Sequence, residues 1–112
     1  MNYNIKIDEY GTKCYYVNNV LHRDDGPAIE YVSGTKEWYI NGKPHREDGP
    51  AEEYYNGAKQ WYKNGLRHRE DGPAYEGSNG YLEWHFNDIC YGYNNDFTVE
   101  SWKFFIKTLI FS

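Results

Sequence analysis

The chain has 112 residues, a formal net charge of −5 and 20% aromatic side chains, among them 13 Tyr and 4 Trp. A small acidic chain lacks the basic surface that contact with a phosphate backbone requires, which excludes generic nucleic-acid binding and favours solubility or a positively charged partner. A hydrophobic fraction of 39% with many amphipathic rings is typical of a thin sheet, in which Tyr and Trp cover apolar area and keep a polar group in water.

The first residues, Met-Asn-Tyr-Asn-Ile-Lys, contain no apolar segment of the kind found in signal peptides, and no run of the sequence is long enough for a membrane span. These features predict an intracellular, cytoplasmic protein without a transmembrane segment. Residues 4–10 then form a candidate strand, which fits as a half-unit that closes the N-terminal end of a repeat array.

From residue 11 the chain repeats with a period of 23 residues. The sequence His-Arg-x-Asp-Gly-Pro-Ala occurs at residues 22–28, 45–51 and 68–74. A strict period of this length predicts stacked supersecondary units that bury their apolar faces against one another. The predicted repeat domain spans residues 1–97, with units that begin at Gly11, Gly34, Gly57 and Gly80.

Each unit contains two candidate strands. The first is aromatic, at residues 14–16, 37–39, 60–62 and 83–85, and the second follows Gly-Pro, at residues 28–32, 51–55 and 74–78. Asn-Gly at residues 41–42 and 64–65 predicts type I′ turns, and Asn18-Asn19 and Asn87-Asp88 occupy the same places. The units therefore predict an antiparallel meander, with Trp38, Trp61 and Trp84 as a ladder on one face and Tyr39 and Tyr62 on the other.

The short loop before each Pro is a candidate turn. Gly49, in the second of these loops, is expected to adopt a positive φ, which favours glycine. A β-branched substitution there is expected to lower stability.

The two cysteines, Cys14 and Cys90, lie in the first and last units. Two strands per repeat at roughly 4.8 Å per strand place them about 30 Å apart, far beyond the reach of a disulfide. We therefore expect free thiols. No His or Cys cluster at zinc spacing accompanies them, so the sequence predicts no metal site and no cofactor.

In the fourth unit the motif is replaced by Tyr-Gly-Tyr-Asn-Asn-Asp at residues 91–96, which ends the array. Apolar residues then recur at helical spacing, with Thr98 as a candidate N-cap. Residues 98–112 therefore predict an amphipathic helix that covers the unpaired edge of the last strand. The alternative is partner docking or self-association through the apolar stripe, formed by Trp102, Phe105, Ile106 and Leu109.

The repeat resembles a known family. Tyr39-Ile-Asn-Gly-Lys-Pro-His45 and Tyr62-Lys-Asn-Gly-Leu-Arg-His68 resemble the aromatic-x-x-Gly-x-x-His core of MORN repeats, whose period is also 23. The longer Trp-Tyr-x-Asn-Gly-x-x-His-Arg-Glu-Asp-Gly-Pro-Ala is similar to MORN-like repeats in small proteins of bacteriophages, giant viruses and some bacteria. The resemblance covers residues 5–96. It implies a mostly β fold, a single-layer antiparallel β-hairpin repeat array.

The chain departs from standard MORN repeats after the His, where Arg23, Arg46 and Arg69 replace a Gly. The family implies a membrane- or phospholipid-associated scaffold as one alternative function. The similarity to viral repeats implies another, a phage- or virus-encoded accessory protein in the cytoplasm of the host cell that binds and inhibits a host defence factor.

The charged loops carry three equivalent copies of the same groups. His22, His45 and His68 are each followed by two acidic side chains, which could pass for acid/base pairs. A catalytic centre needs one convergent constellation, and equivalent histidines about 9–10 Å apart are too far from one another to share a metal ion. The repetition therefore favours a structural role, in which Asp closes the turn, Arg bridges carboxylates of the adjacent unit, and His donates to a neighbouring oxygen.

The same rows can form a recognition surface, since guanidinium groups suit phosphates or carboxylates and aromatic rings offer stacking faces. The candidate binding residues are Arg23, Arg46, Arg69, His22, His45, His68, Trp38, Trp61, Trp84, Tyr39 and Tyr62. The leading hypothesis is a non-enzymatic protein-interaction module. The alternatives are a protein that sequesters an anionic nucleotide and, third, a hydrolase that uses a His/Asp pair. Homo-oligomers through the helix or a sheet edge are a further alternative.

Overall fold

The computed structural model describes residues 2–111. Within this range the backbone is mostly antiparallel strand, followed by a 3₁₀ turn at Asn94–Asp96 and one α-helix, α1 (Val99–Ile110). The strands are β1 (Asn4–Ile7), β2 (Lys13–Val17), β3 (Val20–Leu21), β4 (Ile29–Glu30), β5 (Lys36–Glu37), β6 (Tyr39–Ile40), β7 (Lys43–Pro44), β8 (Glu52–Glu53), β9 (Lys59–Gln60), β10 (Tyr62–Lys63), β11 (Leu66–Arg67), β12 (Tyr75–Glu76), β13 (Leu82–Phe86) and β14 (Ile89–Tyr93).

Ten of these strands form one open sheet, in the order β1-β2-β4-β5-β8-β9-β12-β13-β14, with β3 paired to β2 beside this path. In the described chain, β6–β7 and β10–β11 form two separate hairpins. The molecule measures 44 × 31 × 18 Å, because the strands of the main sheet follow one another in chain order from one end to the other. The prediction of a mostly β, antiparallel fold with a C-terminal helix is confirmed.

The predicted strands of the middle units are interrupted or shortened. β5 ends at Glu37 and β6 begins at Tyr39, so Trp38 belongs to neither strand. Its N–H donates to the Ala51 carbonyl at 2.7 Å, while its carbonyl accepts from the His45 N–H at 3.1 Å. The chain therefore leaves the main sheet at Trp38 and enters the hairpin of β6 and β7. Trp61 has the same position before the hairpin of β10 and β11. The strands predicted after Gly-Pro are reduced to two residues each, β4, β8 and β12.

The predicted two-residue turns form in the four units. Asn41 and Gly42 have φ of 50° and 79°, and the turn residues at 18–19, 64–65 and 87–88 also have positive φ. The second set of turns is built around glycines in the left-handed region. Gly34, with φ of 100°, donates its N–H to the Tyr31 carbonyl at 3.0 Å. The conformation of both kinds of turn is determined by the residues within the turn itself.

The hydrophobic core lies at the C-terminal end, where the helix packs on the sheet. Trp84, Trp102 and Ile106 are buried together, and Phe105 and Leu109 pack against this cluster. The helix begins as predicted, with the Thr98 side chain accepting from the Ser101 N–H. Its apolar stripe therefore faces the sheet, and the helix predicted to the last residue is observed to Ile110, with Ser112 outside the described residues.

The helix packs against both strands of the last hairpin, since Trp102 and Phe105 contact the ring of Tyr91 in β14. That it covers the unpaired edge of the last strand stays a prediction. The fully buried Trp102 packs on Trp84, which lies within β13, and its indole Nε1–H donates to the Arg69 carbonyl at 2.8 Å. The helix thus covers one face of the last unit.

The prediction of free cysteines is confirmed for Cys14 and Cys90.

Trp102→Ala is expected to lower the free energy of unfolding by about 3–5 kcal/mol, because it removes one of the two indole rings in the only buried cluster of the described chain. Phe104, on the same helix and 72% exposed, is the matched control, and Phe104→Ala is expected to change stability by less than about 0.5 kcal/mol. Urea denaturation of both variants measures the difference. Equal losses would contradict the packing of the helix.

Candidate binding faces of the sheet

Successive residues of a strand point to opposite sides of the sheet, so the thin molecule presents two distinct faces. We call one the arginine face, defined by Arg23, Arg46 and Arg69 and the rings beneath them. We call the other the tyrosine face, defined by Tyr31, Tyr39, Tyr54 and Tyr62. Cross-strand pairing on the arginine face alternates lysine and glutamate, in the row Lys13, Glu30, Lys36, Glu53, Lys59 and Glu76.

On the arginine face each guanidinium lies flat on an aromatic ring. Cζ of Arg46 is 3.9 Å from the ring centroid of Trp38, and the other two pairs, Arg23 on Tyr15 and Arg69 on Trp61, measure 3.9 and 3.8 Å. This distance is within the range of a cation–π contact. Each arginine therefore covers a ring that a one-layer sheet would otherwise leave open to water.

The same guanidinium is held by three hydrogen bonds. Arg46 donates from Nε to Asp48 at 3.1 Å, and from Nη1 to the Pro50 carbonyl at 3.1 Å and to Glu53 at 2.9 Å. Arg23 and Arg69 repeat this pattern. These partners lie in the arginine's own unit, so the prediction of a bridge to the adjacent unit is wrong. The arginine instead closes its own loop onto its own strand.

The arginines are mostly covered and the carboxylates beside them are not. The side chain of Arg46 is 22% exposed, whereas those of Asp48 and Glu47 are 86% and 71% exposed. The hydrogen bond from Arg69 lowers the pKa of Asp71, and the one from Arg23 does the same for Asp25. The arginine row is thus paired with carboxylates, and the charge that the loops present to solvent is negative.

Glycine at position 49 is explained by this stack. Its φ lies outside the left-handed region, so the expectation of a positive φ is wrong. A Cβ at Gly49 would lie 3.0 Å from Cζ of Arg46, and one at Gly72 would lie 2.7 Å from Cζ of Arg69. The residue is small because the guanidinium lies against the loop backbone.

The histidines connect one unit to the next. Nδ1 of His45 accepts the N–H of Asn64 at 2.9 Å, and its Nε2 lies 2.8 Å from Glu47. His22 makes the same two contacts, from Nδ1 to Asn41 and from Nε2 to Asp24. The partners of His68 are Asn87 and Glu70. Since Nδ1 accepts, Nε2 carries the proton and donates it to the acidic side chain. Both ring nitrogens are therefore engaged, one of them with the turn of the following unit.

The predicted tryptophan ladder is replaced by separate stacks. Trp38 and Trp61 each contact an arginine, whereas Trp84 lies 5.6 Å from Trp102 and 5.7 Å from Phe97, measured between ring centroids. The position one period after Arg69 is Gly92, so the fourth unit has no guanidinium to cover its ring. The helix takes its place.

Two grooves on the arginine face separate the three loops. The first, of about 540 Å³, is lined by Trp38 and by the charged residues of the first two loops. The second, of about 520 Å³, is lined by Trp61 and by those of the second and third loops. Each groove contains two arginines and four carboxylates, which are Asp24, Asp25, Glu47 and Asp48 in the first and Glu47, Asp48, Glu70 and Asp71 in the second.

The tyrosine face carries a chain of hydrogen bonds between phenols and carboxyl or amide groups. The Tyr39 hydroxyl donates to Glu37 at 3.0 Å, and Tyr54 donates to Glu52 at 3.1 Å and accepts from Gln60. Burial, followed by the charge of Glu52, raises the pKa of Tyr54 to about 12. Tyr39 and Tyr62 thus lie on the face opposite Trp38 and Trp61, as predicted, and serve as hydrogen-bonding groups there.

The same face holds a group that the sequence analysis missed. Carboxylate, imidazole and thiol atoms of Glu83, His85 and Cys90 all lie within 4.8 Å of one another. One period earlier the same positions are Gln60, Tyr62 and Arg67. The sequence feature that could have indicated this group is therefore the change of residue type at these three positions in the fourth unit. Residue spacing alone did not reveal it, because the contact crosses two strands.

Comparison of the chain with protein-family models, curated proteins and solved structures found no match.

Gly49→Asn is expected to lower the free energy of unfolding by about 1–3 kcal/mol, because its Cβ displaces a guanidinium that three hydrogen bonds hold in place. Gly57→Asn is the control, since Gly57 has φ of 94° with no atom within 4 Å of a Cβ, and Asn tolerates the left-handed region. We expect it to cost less than about 1 kcal/mol. Thermal denaturation compares the two, and a well-tolerated Asn at both positions would contradict the steric explanation.

Glu52→Gln is expected to raise the free energy of unfolding at pH 7 by about 0.5–1 kcal/mol, because Glu52 lies directly opposite Glu37. Burial first, and then Glu37, raises the pKa of Glu52. A raised pKa penalises the ionised folded state above the ordinary carboxyl pKa, so the gain should shrink as the pH falls through that value.

The neighbouring Glu53 provides the control on the opposite face. It pairs with Arg46 at 2.9 Å, so Glu53→Gln is expected to lower stability by a similar amount. Denaturation of both variants at pH 7 and pH 4 tests the pair. The same sign for both substitutions at pH 7 would refute the assignment of the two faces.

Proposed function

We propose that the chain is a non-enzymatic protein-interaction module whose arginine face binds a basic segment of a protein partner. The observation that carries this proposal is the composition of the grooves. Each contains four carboxylates and two arginines, and each arginine is already paired with two carboxylates. The second groove also contains Lys63, whose Nζ lies 3.6 Å from Glu47, so carboxylates outnumber cations in both grooves. The grooves therefore offer unused negative charge.

The geometry of the first groove suits a lysine or arginine side chain. Glu47 and Asp48 are mostly exposed on one wall, and Asp24 is 49% exposed on the other. The half-buried ring of Trp38, which Arg46 covers on one face, also lines this groove and offers apolar surface to the side-chain stem. A cation that enters between the loops meets carboxylates at the rim and an aromatic ring below.

Repetition strengthens this argument. The second groove presents Trp61 with Glu47, Asp48, Glu70 and Asp71 in a similar arrangement, and differs in having Lys63 where the first groove has Ile40. A partner with basic residues at matching spacing would occupy both grooves, and the second contact would then form at high effective concentration. We propose a MORN-like repeat array as the scaffold, on the strength of the 23-residue motif. The resemblance to viral repeats extends the proposal to a host defence factor as the partner, and hence to the host cytoplasm.

The geometry favours this function over the alternatives. An anionic nucleotide or phospholipid headgroup entering a groove would meet four carboxylates and two neutralised arginines. A hydrolase would require one of the histidines to release a hydrogen bond that holds two units together. Within residues 2–111, no helix has the length and apolar character needed to cross a membrane.

Fluorescence anisotropy with a labelled peptide rich in Lys and Arg tests the proposal, against an Asp- and Glu-rich peptide of equal length. We expect saturable binding of the basic peptide only, weakened by added salt. The double variant Glu47→Gln/Glu70→Gln should bind about five- to tenfold more weakly, because it removes two groove charges and keeps acceptors for His45 and His68.

The variant Glu9→Gln/Glu100→Gln is the matched control, since it removes the same charge from exposed positions outside the grooves. It should bind as the unmodified chain does. Equal weakening by both double variants would reduce the effect to net charge and refute a groove site. Saturable binding of a nucleoside triphosphate, tested in parallel, would favour the anionic-ligand alternative.

A further inference from the structure

The last hairpin carries three metal-binding side chains on the tyrosine face. His85 of β13 lies directly opposite Cys90 of β14, and Glu83 precedes His85 by two residues. Alternation along β13 places Glu83 and His85 on the same side, and cross-strand pairing places Cys90 beside them. The register shifts between Trp84 and His85. Trp84 pairs with Gly92 and His85 pairs with Cys90, so Tyr91 has no cross-strand partner in β13.

This bulge sets the distances between the three groups. Nε2 of His85 lies 2.9 Å from Oε1 of Glu83, and the ligand atoms of all three residues lie within 4.8 Å of one another. In a tetrahedral site with metal–nitrogen or metal–oxygen bonds near 2.1 Å and metal–sulfur bonds near 2.3 Å, neighbouring ligand atoms are about 3.3–3.8 Å apart. The observed separations, from 2.9 Å to at most 4.8 Å, differ from this spacing by about 1 Å or less.

A second observation concerns the imidazole itself. His85 is only 6% exposed, and its Nδ1 is the one buried side-chain polar atom of the described residues without a hydrogen-bond partner. By contrast, His22, His45 and His68 use both ring nitrogens. A buried polar atom without a partner is unfavourable, so the metal-free fold leaves one ring nitrogen of His85 unsatisfied beside this group.

The chemistry of the donors indicates the ion. We propose that Glu83, His85 and Cys90 bind a divalent transition metal of the zinc class. Thiolate and imidazole favour borderline and soft ions over Mg²⁺ and Ca²⁺, and the carboxylate completes a three-ligand set that leaves one position for water or a partner's side chain. Binding requires loss of the Cys90 thiol proton to solvent, together with its contact to the Gly92 carbonyl at 3.5 Å.

The neighbouring residues distinguish the fourth unit from the other units. Nη1 of Arg67 lies 3.7 Å from Glu83, which keeps one positive charge beside the carboxylate. Gln60, Tyr62 and Arg67 hold the equivalent positions in the third unit, so the proposed ligand set belongs to the fourth unit. At the other end of the sheet, Cys14 lies opposite Lys6 and Ile29, neither of which binds metal readily.

Titration of the full chain with Co²⁺ tests the proposal. A thiolate ligand gives an intense near-ultraviolet charge-transfer band, and we expect this band to saturate at one ion per chain and to disappear when Zn²⁺ is added. Cys90→Ser should abolish the band. His85→Tyr, which installs the residue found at the same position in the second and third units, should weaken Co²⁺ binding at least tenfold.

Cys14→Ser is the matched control, because it removes the other thiol and should leave the band unchanged. Thermal denaturation confirms that each variant folds; if His85→Tyr does not, Glu83→Gln replaces it, with Gln60 as its counterpart in the third unit. Absence of the band in the unmodified chain would overturn the proposal. A band lost in Cys14→Ser, or one that survives in Cys90→Ser, would overturn it equally.

Discussion

The stack of a guanidinium on an aromatic ring is the interaction on which the rest of this fold depends. A molecule that is 18 Å across its shortest axis and has one layer of strands offers no second sheet to bury its tryptophans. Arg46 supplies that cover for Trp38, because a planar cation can lie on a ring and still direct its N–H groups to carboxylates at its edge. The small loop glycine, the acidic residue before it and the glutamate on the next strand all follow from the position of this one group.

Two kinds of side-chain connection reinforce the strand pairing of the array, one within a unit and one between units. Arginine closes a unit on itself, whereas histidine binds the turn of the next unit through Nδ1. The first stabilises the loop, and the second fixes the spacing between units. The array ends in the fourth unit, where Gly92 stands at the position of the arginine. The ring of Trp84 is therefore covered by Trp102 of the helix. The last unit thus differs from the others in having an indole in place of a guanidinium on its aromatic ring.

Features that depend on a few neighbouring residues were predictable from the sequence. The Asn-Gly turns, the period and the Thr98 cap belong to this class, because backbone preferences decide them. Features that depend on which residues meet across strands were not. The arginine was assigned to the wrong unit, and Gly49 was explained by φ and not by a nearby guanidinium. The group around His85 needed the bulge at Trp84, which no spacing rule reveals.

The grooves have a consequence for how such a protein can change over evolutionary time. Three loops enclose two grooves, and the arginines, carboxylates, tryptophans and histidines that line the grooves or connect two units recur with the 23-residue period. Duplication or loss of one 23-residue segment would therefore add or remove one complete groove, while β1 and the helix continue to close the ends. Such a change would alter the number of equivalent contacts in whole steps, so the strength of multivalent association would follow gene length without the invention of a new contact.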